Sequence, residues 1–291
     1  MELRVLQYFL AVTREQSISG AAESLYLSQP TLSRQLKELE EELGKQLFIR
    51  GSRRVTLTEE GMILRKRAQE IMELVKKAED EISQSDELVA GDITVGTGET
   101  DGVRFLARAA QNLQKDCPLI HLHIVSGDKA TVIEDLDRGL IDFGIIFGDV
   151  DVSKYEHISL PYKDIWGVMM RRDSPLAEKD EITAADLMDK PLIISRQAFR
   201  NSDFRDFFPG GQENLNIVAT YNLLFNGSVM ASEGMGYVIC FDKIINVSGD
   251  SELCFRPLSP KLEASMSIVW KKYQVHSKVT ERFLNKLREY V

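Results

Sequence analysis

Gln29, Pro30, Thr31, Ser33, Arg34 and Lys37 fall within nine residues, and Pro30, Ser33, Arg34 and Lys37 recur at i, i+3, i+4 and i+7. On a helix these side chains form one polar stripe. Their chemistry suits nucleic acid: glutamine can read adenine bidentately, arginine can read guanine, and hydroxyls and helix-terminal amides hold phosphate. The competing reading is the solvated face of an ordinary helical hairpin. On the opposite side Leu32, Leu36, Leu39 and Leu43 recur at four, three and four, which calls for a buried face. Ser28 followed by Gln29-Pro30 is a helix-start signal, because proline is tolerated in a first turn. An earlier helix carries Ile18, Ala21, Ala22 and Leu25, with Ser19 placed to cap it. Only Tyr26-Leu27-Ser28 separates the two, so they must pack steeply, as in a helix-turn-helix.

The flanking sequence supplies what would position such a pair. Leu3, Leu6, Phe9 and Leu10 predict a first helix that completes a three-helix core. Gly44 ends the candidate recognition helix, and residues 47–57 read as two short strands around Gly51-Ser52-Arg53-Arg54, a basic wing in which Arg50, Arg53 and Arg54 could grip phosphates. The chain is acidic overall, with a net charge of −9 over 291 residues. Between Arg34 and Arg54, however, six basic residues outnumber four acidic ones. The distribution therefore predicts weak nonspecific binding and reliance on a particular site.

This order of elements, with Ala21-Ala22, Gln29-Pro30, Ser33, Leu39-Glu40, Leu43-Gly44, Leu47-Phe48, Arg50 and Thr58-Glu59-Glu60-Gly61, resembles the LysR-type transcriptional regulators over about the first sixty residues. Beyond them the likeness is architectural. The resemblance implies double-stranded operator or promoter DNA as a partner, a linker helix that mediates dimer contacts, a homotetramer on DNA, and an effector domain built like a periplasmic solute-binding protein.

From Thr58 the pattern is a long helix, with Leu64, Ala68, Ile71, Val75, Ala78 and Ile82 at heptad spacing among charged neighbours. A seam this narrow predicts a dimer, the alternative being a helix packed on its own domain. Dimerisation would set two recognition helices about 34 Å apart, or a multiple of that, for a two-fold site. Ser83 to Glu87 reads as a hinge.

After residue 89 strand-like and helical runs alternate, the mark of an α/β fold with a largely parallel sheet. The fold class expected is α/β overall: a winged helix-turn-helix (1–57), a linker helix and hinge (58–88), and a two-lobed effector domain (89–291). Lobe I comprises 89–161 and 267–291, and lobe II 162–266. Ligands in open α/β sheets bind beyond the carboxyl ends of strands. That rule selects Thr97, Gly98, Glu99, Thr100, Ser126, Phe147, Ser195, Arg196 and Asn222 as effector-contact candidates, each of which could equally serve a turn or cap. Strand-end amides favour an anionic or zwitterionic small molecule.

Other signals are weaker. Gly96-Thr97-Gly98 lacks the spacing of a dinucleotide loop. His121 and His123 share a strand face but find no convincing third ligand in the sequence, so no metal or cofactor is expected. Cys117, Cys240 and Cys254 are widely spaced and read as reduced, packed thiols, favouring small-molecule sensing over a thiol switch. With neither a secretory signal nor a spanning segment, the location expected is cytoplasmic. A nucleophile elbow or catalytic set is missing, so an enzyme is not expected. The alternatives are a solute-binding or sensor protein, or a cofactor-dependent enzyme, using the C-terminal α/β region.

Overall fold

The computed structural model describes residues 1–51, 54–83, 89–196, 198, 202–208 and 211–290, in two compact units, Met1–Gln84 and Ser85–Val291. The hinge residues 84–87 lie outside the described set.

The first unit contains α1 (Leu3–Glu15), α2 (Ile18–Ser24), α3 (Gln29–Leu43), strands β1 (Phe48–Arg50) and β2 (Val55–Leu57), and α4 (Glu59–Ser83). Leu6, Phe9, Leu32, Leu36, Leu39 and Leu47 form the centre of its core, with Phe9 and Phe48 in ring contact at 5.1 Å. Leu43, at the end of the predicted apolar face, is 40% exposed. Ser28 caps α3 by accepting the Thr31 amide, and Gly44 closes it with φ +63°, a left-handed conformation that costs glycine nothing. The cap of α2 is Ser17, which accepts from the Gly20 amide; Ser19, expected in that role, instead donates to Gln29 Oε1.

The heptad seam of α4 divides. Ala68 is fully buried in the core of its own unit, and Leu64 and Ile71 pack against the same core. Ala68 is therefore covered within its own chain, while Leu64 and Ile71 remain half-exposed; α1 is the helix that packs on α4. Val75 is half-buried, Ala78 and Ile82 are exposed, and Met62, Ile63 and Leu74 add further exposed apolar surface.

The second unit runs β3 (Gly91–Thr97), α5 (Val103–Asp116), β4 (Ile120–Ser126), α6 (Lys129–Arg138), β5 (Phe143–Phe147), β6 (Tyr155–Arg171), β7 (Ile182–Thr183), α7 (Ala184–Leu187), β8 (Leu192–Ser195), α8 (Ser202–Phe207), β9 (Ile217–Tyr221), α9 (Leu224–Ser232), β10 (Tyr237–Phe241), β11 (Leu253–Ser259), β12 (Glu263–Lys271) and α10 (Lys278–Arg288). The strand order is β4-β3-β5-β12-β6-β10-β8-β9, with β11 on β6 and β7 on β11. Pairing is parallel within β4-β3-β5 and within β10-β8-β9, and antiparallel where β12 and β6 join the two groups. Seventeen-residue β6 pairs through its first half with β12 and through its second with β10 and β11, so it is shared by both lobes.

Each lobe pins a strand with a buried aspartate. Asp142 Oδ2 accepts the Thr94 amide at 2.8 Å, and Asp242 Oδ1 accepts the Ile165 amide at 3.0 Å. Asp164, on the crossing strand, differs: it is fully buried and, among the described residues, neither carboxylate oxygen makes a hydrogen bond of good geometry. Burial lifts its carboxyl to about 6; the Thr100 hydroxyl opposes this, while the charges of Asp242 and Asp101 reinforce it.

A folded-state value of about 6 against 3.8 for the free side chain means that the native protein binds the Asp164 proton more tightly. Stability is therefore greatest below the unfolded value and falls as pH rises through the folded one, by roughly 1–3 kcal/mol. Urea unfolding of Asp164→Asn should accordingly show a gain over the parent at pH 8 that shrinks towards pH 4. A difference independent of pH would contradict this origin.

Candidate nucleic-acid interface and ligand cleft

In the first unit, Gln29, Pro30, Thr31, Arg34 and Lys37 are exposed and Ser33 is half-buried, all on the N-terminal two-thirds of α3. Two of the side chains are already engaged locally, Gln29 by the Ser19 hydroxyl at 3.1 Å and Thr31 by Ser28 at 2.7 Å. The cations are paired along the helix, Arg34 with Glu38 at 3.6 Å and Lys37 with Glu41 at 3.2 Å. Such exposed i,i+4 pairs are worth only about 0.3–0.5 kcal/mol each, so phosphate or a base edge can displace them. Tyr26, 98% exposed with φ +56° in the turn before α3, adds a ring and hydroxyl beside the stripe. Its signal in the sequence was only its place in that turn. Arg54 is exposed on the wing; Arg53 and the side chain of Arg50 lie outside the described residues.

The orientation of this stripe is set by the C-terminal half of α3. Glu40 Oε1 accepts the amides of Leu47 at 2.7 Å and Phe48 at 3.1 Å, joining α3 to the start of β1. Thr58 donates its amide to the Leu47 carbonyl at 3.0 Å and its hydroxyl to the Gln46 carbonyl at 2.7 Å, while that hydroxyl accepts the Gly61 amide and caps α4. Gly61 is required here for space: a Cβ would stand 2.2 Å from the Leu47 carbonyl oxygen. The wing is tied back to α1 by the Val55 amide on the Gln16 carbonyl at 2.9 Å.

In the second unit the carboxyl ends of β3, β5, β8, β9 and β10 surround a cavity of about 460 Å³ between the lobes. Of the candidates, Gly98, Glu99, Phe147, Ser195 and Asn222 line it. Thr97, Thr100, Ser126 and Arg196 do not. Thr97 is buried and donates to the Gly98 carbonyl, and Thr100 is buried between the Gly102 amide and Met266 Sδ. Ser126 and Arg196 are exposed away from the lining. Tyr221, which ends β9 and is a strand-end candidate beside Asn222, lines the cavity too; missing from the sequence selection were Lys129, Trp166, Leu224 and Phe241. Trp166, Phe147 and Phe241 make one aromatic wall, with centroids 4.2 and 5.1 Å apart along the chain of contacts. Lys129 Nζ donates to the carbonyls of Phe147 at 3.2 Å and Asp149 at 2.9 Å. Tyr221 supports the floor by donating to the Ile239 carbonyl, and burial pushes its hydroxyl well above the usual range, so it serves as a neutral donor.

The cysteines are all free and buried, and burial pushes the Cys240 thiol, in the cavity lining, far up and away from a reactive thiolate. His121 and His123 do acquire a neighbour that the sequence did not indicate: parallel pairing of β3 with β4 brings Asp92 within 3.5 and 3.2 Å of them. No group of three or more side chains among the described residues could hold a metal ion. Among the same residues no helix is long and apolar enough to cross a membrane.

Two family models match the chain: bacterial regulatory helix-turn-helix protein, lysR family, over residues 3–62, and LysR substrate binding domain over residues 86–291. The HTH-type transcriptional regulator BsdA of Bacillus subtilis (strain 168) is 38% identical over 200 residues, 67% of each chain. A hydrogen peroxide-inducible genes activator of Pectobacterium carotovorum subsp. carotovorum is 27% identical over 67% of this chain and 64% of its own length. The crystal structure of full-length CbnR complexed with its target DNA covers all of both chains with a TM-score of 0.78 at 20% identity.

Replacing Glu40 by alanine leaves two partly buried amides unpaired and should cost roughly 1–3 kcal/mol, read from unfolding of the first unit, with Glu40→Gln losing less because it keeps an acceptor. Peroxide treatment should leave DNA retention unchanged in the parent and in Cys240→Ser and Cys254→Ser; a response lost in either variant would restore a thiol switch.

Proposed function

Because the chain belongs to the LysR family of bacterial helix-turn-helix regulators, we propose that it is a cytoplasmic, sequence-specific transcriptional regulator controlled by a small molecule held between its two α/β lobes. The observation that carries this reading is the exposed stripe on α3, mounted on a buried three-helix core and followed by a wing. Gln29, Pro30, Thr31, Ser33, Arg34 and Lys37 enter the major groove, and Arg50, Arg53 and Arg54 hold phosphates or the minor groove. CbnR, whose fold this chain resembles, was solved in complex with its target DNA.

The protein acts as a homo-oligomer, dimeric at least and tetrameric on DNA. The exposed remainder of α4, with Ile63, Leu74, Ala78 and Ile82, is the surface that pairs two copies. The effector is an anionic or zwitterionic metabolite bound at Gly98, Glu99, Phe147, Ser195 and Asn222, and it acts by binding two states of the lobes unequally. No catalytic role is assigned to the cleft.

The test is a mobility shift of the full-length protein on the DNA upstream of its own gene, with random DNA as competitor. Arg34→Ala should lose roughly 1–3 kcal/mol of specific binding, while Arg54→Ala weakens all sequences alike and lowers the salt dependence. Equal retention of specific and random DNA would remove the proposal.

A further inference from the structure

Helices α2, α3, α6 and α9 end on the same pair of closing hydrogen bonds, one amide reaching the carbonyl three residues back and the next amide the carbonyl five back. For α2 these are Tyr26 to Glu23 at 3.1 Å and Leu27 to Ala22 at 2.9 Å. The pair holds its first residue in the left-handed conformation, whichever residue stands there. In α3, α6 and α9 that residue is Gly44, Gly139 and Gly234, with φ of +63°, +74° and +76°. In α2 it is Tyr26, with φ +56°.

Glycine adopts this conformation without the clash that an L side chain meets there, so the fold alone favours glycine at position 26. Tyr26 carries the strain without a compensating contact. It is 98% exposed, and its hydroxyl makes no hydrogen bond among the described residues. Leu25 beside it packs on the core, so the turn itself is held without the ring. Strain in a side chain that supports nothing in its own chain points to a use outside it. The place of Tyr26 says which: it stands in the turn that leads into α3, followed directly by Leu27 and then by exposed Ser28, Gln29, Pro30 and Thr31.

Resting on the reading of α3 as the recognition helix, we infer that Tyr26 is a DNA-backbone contact. Its hydroxyl donates to a phosphate at the edge of the groove that α3 enters, and its ring covers the adjoining sugar. A neutral donor of this kind sets the depth and register of α3 without adding to charge-driven binding. That complements a helix whose own cations, Arg34 and Lys37, are each paired with a glutamate.

Mobility shifts of the full-length protein on the DNA upstream of its own gene and on a random duplex, each over a salt series, test the assignment. Tyr26→Phe keeps the ring and the strained turn but loses the donor. It should bind both duplexes about five- to twenty-fold more weakly, with the slope of affinity against salt unchanged, whereas Arg54→Ala lowers that slope. Tyr26→Gly should bind at least as weakly as Tyr26→Phe, while amide hydrogen exchange over residues 18–36 is no faster than in the parent, because glycine relieves the turn. Faster exchange in Tyr26→Gly would show that the ring supports the fold, and overturns the inference. Parental affinity in Tyr26→Phe overturns it too, as does a loss confined to the upstream DNA, which would make Tyr26 a base reader. A parent that binds both duplexes alike removes the regulator reading but keeps this contact if Tyr26→Phe weakens both; a parent that binds neither removes both.

Discussion

The two amides accepted by Glu40 Oε1 join the recognition helix to the rest of the first unit in one defined rotation. The leucines beneath α3 supply burial, but apolar contact is non-directional and would tolerate a helix turned by a few degrees. Reading a base edge does not tolerate it, since a bidentate contact needs its partner within about half an ångström. Glu40 therefore does what Leu36 and Leu39 cannot. Thr58 and Gly61 extend the same constraint into α4, because the carbonyls of Gln46 and Leu47 are held by Thr58 while Gly61 leaves room for the latter. One short segment, 46–48, thus receives directional bonds from a helix before it and a helix after it.

Electrostatics in this unit work against indiscriminate binding. Arg34 and Lys37 each face a glutamate one turn along α3, and the whole chain carries −9. Affinity for an arbitrary duplex rests on counterion release, which these glutamates reduce. A correct site supplies base-edge acceptors in addition to phosphate, so it can replace both intrahelical pairs where random DNA replaces them less well. The acidic balance is then compatible with a DNA reader because it lowers the background more than the specific signal.

How much of this was legible depends on whether the cause was local. The α3 face, its Ser28 cap and its Gly44 terminus follow from spacing and backbone preference, and the structure has them where the residues put them, save that Leu43 emerges from the core at the last turn. The α2 cap moved from Ser19 to Ser17 because either serine satisfies the rule and only the approach of α3 decides which hydroxyl is used elsewhere. The α4 seam shows the same limit: a heptad stripe specifies that it must be covered but not by which chain, and within this chain Ala68 is buried while Leu64 and Ile71 pack on the same core and stay half-exposed. In the cleft, the strand-end rule found Gly98, Glu99, Phe147, Ser195 and Asn222, yet Thr97 and Thr100 spend their hydroxyls on nearby groups. Trp166 and Phe241 are not selected by that rule; only the antiparallel register of β6 with β10 pairs them at the cavity wall.

That register also concentrates the unsatisfied polarity of the effector unit. Asp142 fixes an amide of β3, and Asp242 fixes the Ile165 amide on β6, the strand that both lobes share. Four buried side-chain atoms lack partners among the described residues, and three of them belong to Asp164 and Trp166, two positions apart on β6. Such groups cost more than ordinary packing defects, because the low-dielectric interior magnifies an unmet charge or dipole. Asp164 and Trp166 both lie on β6, on either side of the Ile165 amide that Asp242 holds.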